Sequence, residues 1–204
     1  MNIAVLASHE GTTLQAVLDA CAAGAIAGRV ALVISNNADS GALRRARTAG
    51  VEALCLSGKT HPEMCDLDEA ISAALTERRI DVVLLAGYMK QLGPVTLSRW
   101  SGRVLNTHPA LLPKFGGRGM YGVHVHRAVL AAGERVSGAT IHLVDSSYDT
   151  GPVIAQVQVA VEPTDTPETL AARVQGAERA LIVEVLAGIA SGRIALPLEP
   201  RSRP

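Results

Sequence analysis

The sequence predicts an α/β protein, a single domain built on a doubly wound, mostly parallel sheet, and three observations carry that prediction. Short runs rich in Val, Ile and Leu recur along the chain, segments with helical spacing separate several of them, and the runs are continuously apolar rather than alternating. Strand–helix–strand alternation implies parallel strands with helices on both faces, and strands covered on both faces have no polar side. A length of 204 residues suits one domain whose core needs neither disulfide nor metal.

The elements follow in order. Ile3–Ala7 is the first strand, not a signal peptide, because no basic segment precedes its apolar run. Leu14, Val17, Leu18 and Cys21 fall at i, i+3, i+4 and i+7 and mark one face of a helix. Val30–Ser35 is the second strand, and Glu63–Arg78 reads as a helix of less regular spacing. Strands at Val82–Ala86, Val104–Thr107 and Ala139–Val144 come next. Ala139–Val144 and Pro152–Val161 flank a loop and predict a bent or hairpin-like extension of the sheet. A long final helix begins with Thr166 as cap, Pro167 in its first position and Glu168 in its first turn, and Leu170, Val174, Ala177, Leu181 and Val185 form its apolar stripe. The domain is expected to span 1–194, with 195–204, rich in proline, as a flexible tail.

Charge narrows the function. Nineteen Lys and Arg balance 19 Asp and Glu, and aromatics make up 2%, which argues against a nucleic-acid binder. No apolar run reaches the length of a membrane helix. Cys21, Cys55 and Cys65 are odd in number and lack C-x-x-C spacing, so reduced thiols in a cytoplasmic protein are expected.

Ligands of open α/β sheets bind beyond the carboxyl ends of the strands. After the first strand, Thr12 and Gln15 read as a capping box, leaving the amides of Gly11, Thr12 and Thr13 at a helix start where an anion is favoured. After the Val82 strand, Gly87–Leu92 offers backbone groups to a flat heterocycle, with Met89 and Leu92 to cover it. In Asn106-Thr107-His108-Pro109 an extended chain puts Asn106 and His108 on one face, and Pro109 favours that extension. An amide donor beside an imidazole suits oxyanion stabilisation with proton transfer, and equally a satisfied polar pair. Asp145–Pro152 supplies carboxylates, of which one beside His108 would raise its pKa. Gly116, Gly117, Gly119 and Gly122, with Lys114 and Arg118, suit a mobile lid. His124 and His126 lack the further ligands a metal site requires, so no metal is expected.

Asn106-Thr107-His108-Pro109-Ala110-Leu111-Leu112-Pro113 and Asp149-Thr150-Gly151-Pro152 resemble the signature of the folate-dependent formyltransferases. The likeness runs from Met1 to about Ile194, and Leu85–Met89 and the short chain resemble the branch that formylates glycinamide ribonucleotide in purine synthesis. That resemblance implies a Rossmann-like formyltransferase fold, 10-formyltetrahydrofolate as co-substrate without a metal, small-molecule partners, and a monomer or homodimer. It implies catalytic roles for Asn106, His108 and Asp149, and ribonucleotide contacts from Gly11, Thr12, Thr13, Gln175 and Glu178. It implies a folate pocket formed by Met89, Lys90, Gln91, Leu92 and Asn106 together with Asp145, Ser146, Ser147, Tyr148 and Asp149. Two departures stand out. Ser8-His9-Glu10-Gly11-Thr12-Thr13 replaces the family's Ser-Gly-x-Gly-Ser/Thr-Asn, which leaves another small amine, such as an amino sugar, as the alternative acceptor. Met64 stands where many members have a folate-side arginine, with Lys59 or His61 as candidate substitutes.

Overall fold

Strands and helices alternate from the first residues onward: β1 (Asn2–Leu6), α1 (Thr12–Ala22), β2 (Arg29–Ser35), α2 (Gly41–Thr48), β3 (Glu52–Cys55), α3 (Met64–Glu77), β4 (Val82–Leu85) and α4 (Pro94–Arg99). They continue as β5 (Val104–His108), α5 (Val123–Ala131), β6 (Val136–Leu143), β7 (Val153–Ala160) and α6 (Pro167–Ala190). The structure, a computed structural model, describes residues 1–197. The strands form one seven-stranded sheet in the order β3-β2-β1-β4-β5-β6-β7. Neighbours from β3 to β5 are parallel, whereas β6 runs antiparallel to both β5 and β7, which is the hairpin-like extension expected from the sequence.

The continuous apolar runs divide between two faces by the period of the strand. Ile3 and Val5 pack with α1, α2 and α6 on one face, and Ala4 and Leu6 pack with Ile71 and Leu75 of α3 and with Trp100 on the other. A smaller cluster joins Val125 and Val129 of α5 to Leu170 and Val174 of α6. Fully burying a side chain of this size stabilises by about 1.5–3 kcal/mol, so both faces contribute.

Four elements escape the sequence pattern. β3 is the exposed Glu52 and three half-buried residues at the sheet edge, and α4 is six residues, too short for a periodic signal. α2 buries small residues, Gly41, Ala42 and Ala46, around Leu43, so it has no large apolar stripe. α5 begins Val-His-Val-His, an alternation that imitates a strand. At the termini of the helices, α6 starts as expected: Thr166 Oγ1 accepts from the Thr169 N–H at 3.2 Å while Thr169 Oγ1 accepts from the Thr166 N–H at 2.9 Å. α1 does not carry the expected capping box. Gly11 is its cap residue at φ 69°, no side chain caps it, and Gln15 instead accepts from Arg45 at 3.0 Å and donates to Asp19 at 2.8 Å. In the expected tail, Leu196 packs against the core, and 198–204 lie outside the described residues.

β1 lies between β2 and β4, and the chain passes to opposite sides of β1 to form them. The carboxyl ends of β1 and β4 therefore open a crevice at the point where strand order reverses.

Candidate active site

A cavity of about 620 Å³ occupies that crevice, walled by the turns after β1 and β4, the end of β5, the glycine-rich loop before α5, Asp149 and one side of α6. Ser8 ties the two turns together: its N–H donates to the Gly87 carbonyl at 3.1 Å, and its Oγ accepts from the Met89 N–H at 2.8 Å. Position 11 needs glycine, because its backbone is left-handed and a Cβ there would lie 2.8 Å from the Cα of Ala42. The close approach sets the start of α1 at the cavity wall, where Gly11, Thr12 and Thr13 line it with unpaired first-turn amides. The Glu10 carboxylate is drawn away toward Arg44, 3.5 Å off, and lies against Gly41 at the start of α2.

The catalytic candidates converge. Asn106 and His108 stand two apart on β5, and His142 lies opposite Asn106 in the β5–β6 register. The connection from β6 to β7 folds back, so that Asp149 Oδ2 stands 3.3 Å from His108 Nδ1 and Oδ1 stands 3.5 Å from His142 Nε2. Asn106 Nδ2 is 3.0 Å from His142 Nε2 and 3.5 Å from Asp149 Oδ1. His142 Nδ1 donates to the Leu143 carbonyl at 2.7 Å, and its Nε2 faces both the Asn106 amide and Asp149.

His108 has an acceptor at each nitrogen: the Phe115 carbonyl lies 2.8 Å from Nε2, and Asp149 faces Nδ1. Two acceptors favour a doubly protonated ring, and burial opposes it. Burial prevails, holding His108 below the ordinary 6.5 against the upward pull of Asp149 and Phe115. The expected upward pull of a carboxylate is therefore present, but it does not set the net direction. Burial also pushes Asp149 upward, yet the His142 hydrogen bond, the His108 charge and the Gly117 N–H, 2.9 Å away, together hold it below 3.8. Phe115 and Asp149, the two partners of His108, both adopt φ 57°, which is uncommon for any residue but glycine.

Glu178 and Gln175 reach the cavity from α6. Glu178 Oε1 accepts from Thr107 at 3.1 Å and from Thr13 at 3.2 Å, and burial raises its pKa despite both bonds. Thr13 thus offers an incoming anion its amide, its hydroxyl being engaged.

The expected folate residues divide. Met89, Tyr148 and Asp149 line the cavity with Asn106, whereas Lys90, Gln91, Leu92, Asp145, Ser146 and Ser147 do not. Leu92 is a core residue, buried beside Val104 and Trp100. Asp145 builds its turn, accepting from the Ser147 N–H at 2.9 Å and from Thr150, and Gln91 bridges to the Ser146 carbonyl at 2.8 Å. Met64 is exposed at the start of α3, and neither Lys59 nor His61 lines the cavity. Among the described residues Arg118, on the glycine-rich loop, is the one Arg or Lys that does. His124 is exposed and packs edge-on to Tyr121, apart from the buried His126.

Sequence reasoning missed His142, Thr107, Phe115 and Gly117. A histidine inside the apolar run Ala139–Val144 was a usable signal for the first, whereas Phe115 and Gly117 act through backbone atoms.

Comparison with known proteins agrees with this geometry. The formyl transferase family model matches residues 1–186. The chain is 40% identical over 194 residues to a phosphoribosylglycinamide formyltransferase of Escherichia coli, covering 95% of this chain and 89% of that protein. It is 41% identical to the chloroplastic phosphoribosylglycinamide formyltransferase of Arabidopsis thaliana, over 95% of this chain but 66% of the plant protein. The crystal structure of glycinamide ribonucleotide transformylase 1 from Symbiobacterium toebii superposes with a TM-score of 0.89 at 40% identity, covering 96% of this chain and 90% of that one.

Proposed function

This chain belongs to the formyl transferase family, and from that premise we propose that it moves a formyl group from 10-formyltetrahydrofolate to the amine of glycinamide ribonucleotide, a step of purine biosynthesis. The observation that carries the reading is the meeting of Asn106, His108 and Asp149 in a cavity that is also lined by a helix start shaped for an anion.

The amine nitrogen attacks the formyl carbon, and the carbonyl oxygen gains negative charge. Asn106 donates to that oxygen; its longer N–H contact, 3.5 Å to Asp149, is the one a formyl oxygen displaces. His108, buried and short of its second proton, takes the proton that the attacking amine loses and returns it to the departing folate nitrogen. The new carbon–nitrogen bond replaces the old one, and the proton count closes: formylated acceptor and tetrahydrofolate leave. Asp149 fixes the imidazole and stabilises its charged form.

The ribonucleotide phosphate meets the amides of Gly11, Thr12 and Thr13, with Gln175 and Glu178 beside the sugar and glycinamide. Glu10 also lines the cavity, but its exposed carboxylate lies 3.5 Å from the Arg44 guanidinium, which offsets its charge. The altered loop thus keeps its anion site, which supports the ribonucleotide over an amino sugar. Met89, Tyr148 and Asp149 line the folate side. Cys21, Cys55 and Cys65 are all free thiols, which supports a reducing, cytoplasmic setting. Among the described residues no helix is long and apolar enough to cross a membrane.

Steady-state release of tetrahydrofolate tests the reading. Release should require glycinamide ribonucleotide; turnover with an amino sugar and none with the ribonucleotide would overturn it.

A further inference from the structure

His126 has no part in the chemistry above, yet it is the histidine whose surroundings are hardest to explain structurally. It lies on α5, is 1% exposed, and lines the same cavity as His108. Its Nδ1 is sealed from solvent without a hydrogen-bond partner. A buried polar atom left unpaired destabilises a fold, so this imidazole is retained at a cost in stability, and a role for its other nitrogen in the cavity accounts for that cost.

The tautomer follows from which nitrogen is sealed. An unfilled acceptor lone pair is tolerated better than an orphaned N–H, so the proton belongs on Nε2 and Nδ1 keeps its lone pair. Burial and the nearby His108 both hold His126 below 6.5, which keeps the ring neutral with that single proton. Nε2 also lacks a protein partner among the described residues, and the cavity is the space the side chain borders. Position decides which substrate it meets. α5 packs on α6 through Val125, Val129, Leu170 and Val174, and α6 carries Gln175 and Glu178 on the acceptor wall. The folate-side residues Met89 and Tyr148 come from other elements, the turns after β4 and β6.

We propose that His126 is an acceptor-binding residue, its Nε2–H donating to an oxygen of the ribonucleotide substrate. This rests on the reading of the acceptor given above. The structure then makes an unusual pair of demands on one side chain. Replacing His126 by Leu removes an unpaired polar group from the empty protein, so stability should hold or rise. The same change removes a donor from the complex, so acceptor affinity should fall.

The test compares wild type, His126→Leu and His126→Gln. Calorimetric titration with glycinamide ribonucleotide, without folate, gives Kd; steady-state kinetics give KM for each substrate; thermal unfolding gives Tm. For His126→Leu the expected result is an acceptor Kd and KM raised about 3- to 10-fold, the scale of one hydrogen bond. The KM for the folate and the Tm should not worsen, and His126→Gln, which keeps an N–H donor, should recover part of the acceptor affinity. A lowered Tm with unchanged acceptor Kd would show a structural histidine and overturn the proposal, as would a loss confined to the folate KM. If wild type itself fails to bind glycinamide ribonucleotide, the reading of the acceptor falls, and a wild-type Kd with no change in His126→Leu removes only His126 from it.

Discussion

Strands β1 and β4, inside the parallel half of the sheet, end in turns that reach the cavity: His9 to Thr13, running into the start of α1, after one, and Gly87 to Met89 after the other. At the seam where β5 meets antiparallel β6, His108 lines the cavity with Asp149, which folds back from the connection to β7 and also contacts the buried His142. The difference follows from topology. Parallel strands deliver successive turns to one edge, each leading toward a helix, and a helix start supplies amides for an anion. A strand that runs back beside its neighbour sets residue against residue, so His142 faces Asn106 directly, and the turn that follows returns a carboxylate to the pair. In the proposed reading, holding the acceptor and moving protons fall to separate parts of the fold, and substitutions on the two sides should fail differently.

The largest effect belongs to the seam. Asp149→Asn should lower kcat by about 10²–10⁴, the scale of a positioned acid–base element. The pH–rate profile gives the sharper check. Asp149 pulls the His108 pKa upward against burial, so its loss should move the acid limb to lower pH. An unmoved limb would break the pairing of Asp149 with His108. Asn106→Ala should cost about 10²–10³ in kcat, as for a lost oxyanion donor, and leave the position of the acid limb unchanged.

That contrast also marks what the sequence could reveal. Asn106 and His108 were legible because strand period is local: residues two apart share a face whatever the rest of the chain does. The doubly wound class was legible for the same reason, through runs such as Val82–Leu85 with no polar side. His142 needed the register of β6 against β5, and Leu92 needed the packing of the chain between β4 and α4 against Trp100; both are set by contacts distant in sequence. Phe115 and Gly117 engage the catalytic pair through a carbonyl and an amide, groups every residue carries.

On the parallel side the instructive substitution is Gly11→Ala. The new Cβ must enter at φ 69° and 2.8 Å from the Ala42 Cα, so α1 has to shift or the turn must deform. Such strain costs about 1–3 kcal/mol, visible as a lower Tm. Acceptor KM should rise as the amides of Thr12 and Thr13 move, while the pH–rate profile keeps its shape. A Gly11→Ala enzyme with normal KM would show that the acceptor phosphate is held elsewhere, with Arg118 the next candidate on the cavity wall.

The smallest expected effect separates the two regions without any substitution. His108 and His126 are both held below 6.5 by burial, so on acidification the unfolded chain takes up protons before the folded one does. Stability is therefore intact above about 6.5 and declines as pH falls from there toward the depressed folded values. Asp149 works in a lower window: held below 3.8, its contribution survives until the pH falls through that lowered value. Between pH 7 and pH 5 the two histidines are the groups that lose stability on acidification, Glu178 with its raised pKa acting in the opposite sense, and both histidines sit around β5, α5 and the glycine-rich loop. Amide hydrogen exchange across that range should show α5 and the β5–β6 seam losing protection first, with β1 and β2 unchanged. Equal loss in both halves would mean that acid acts on the fold as one unit and that the seam has no separate proton sensitivity.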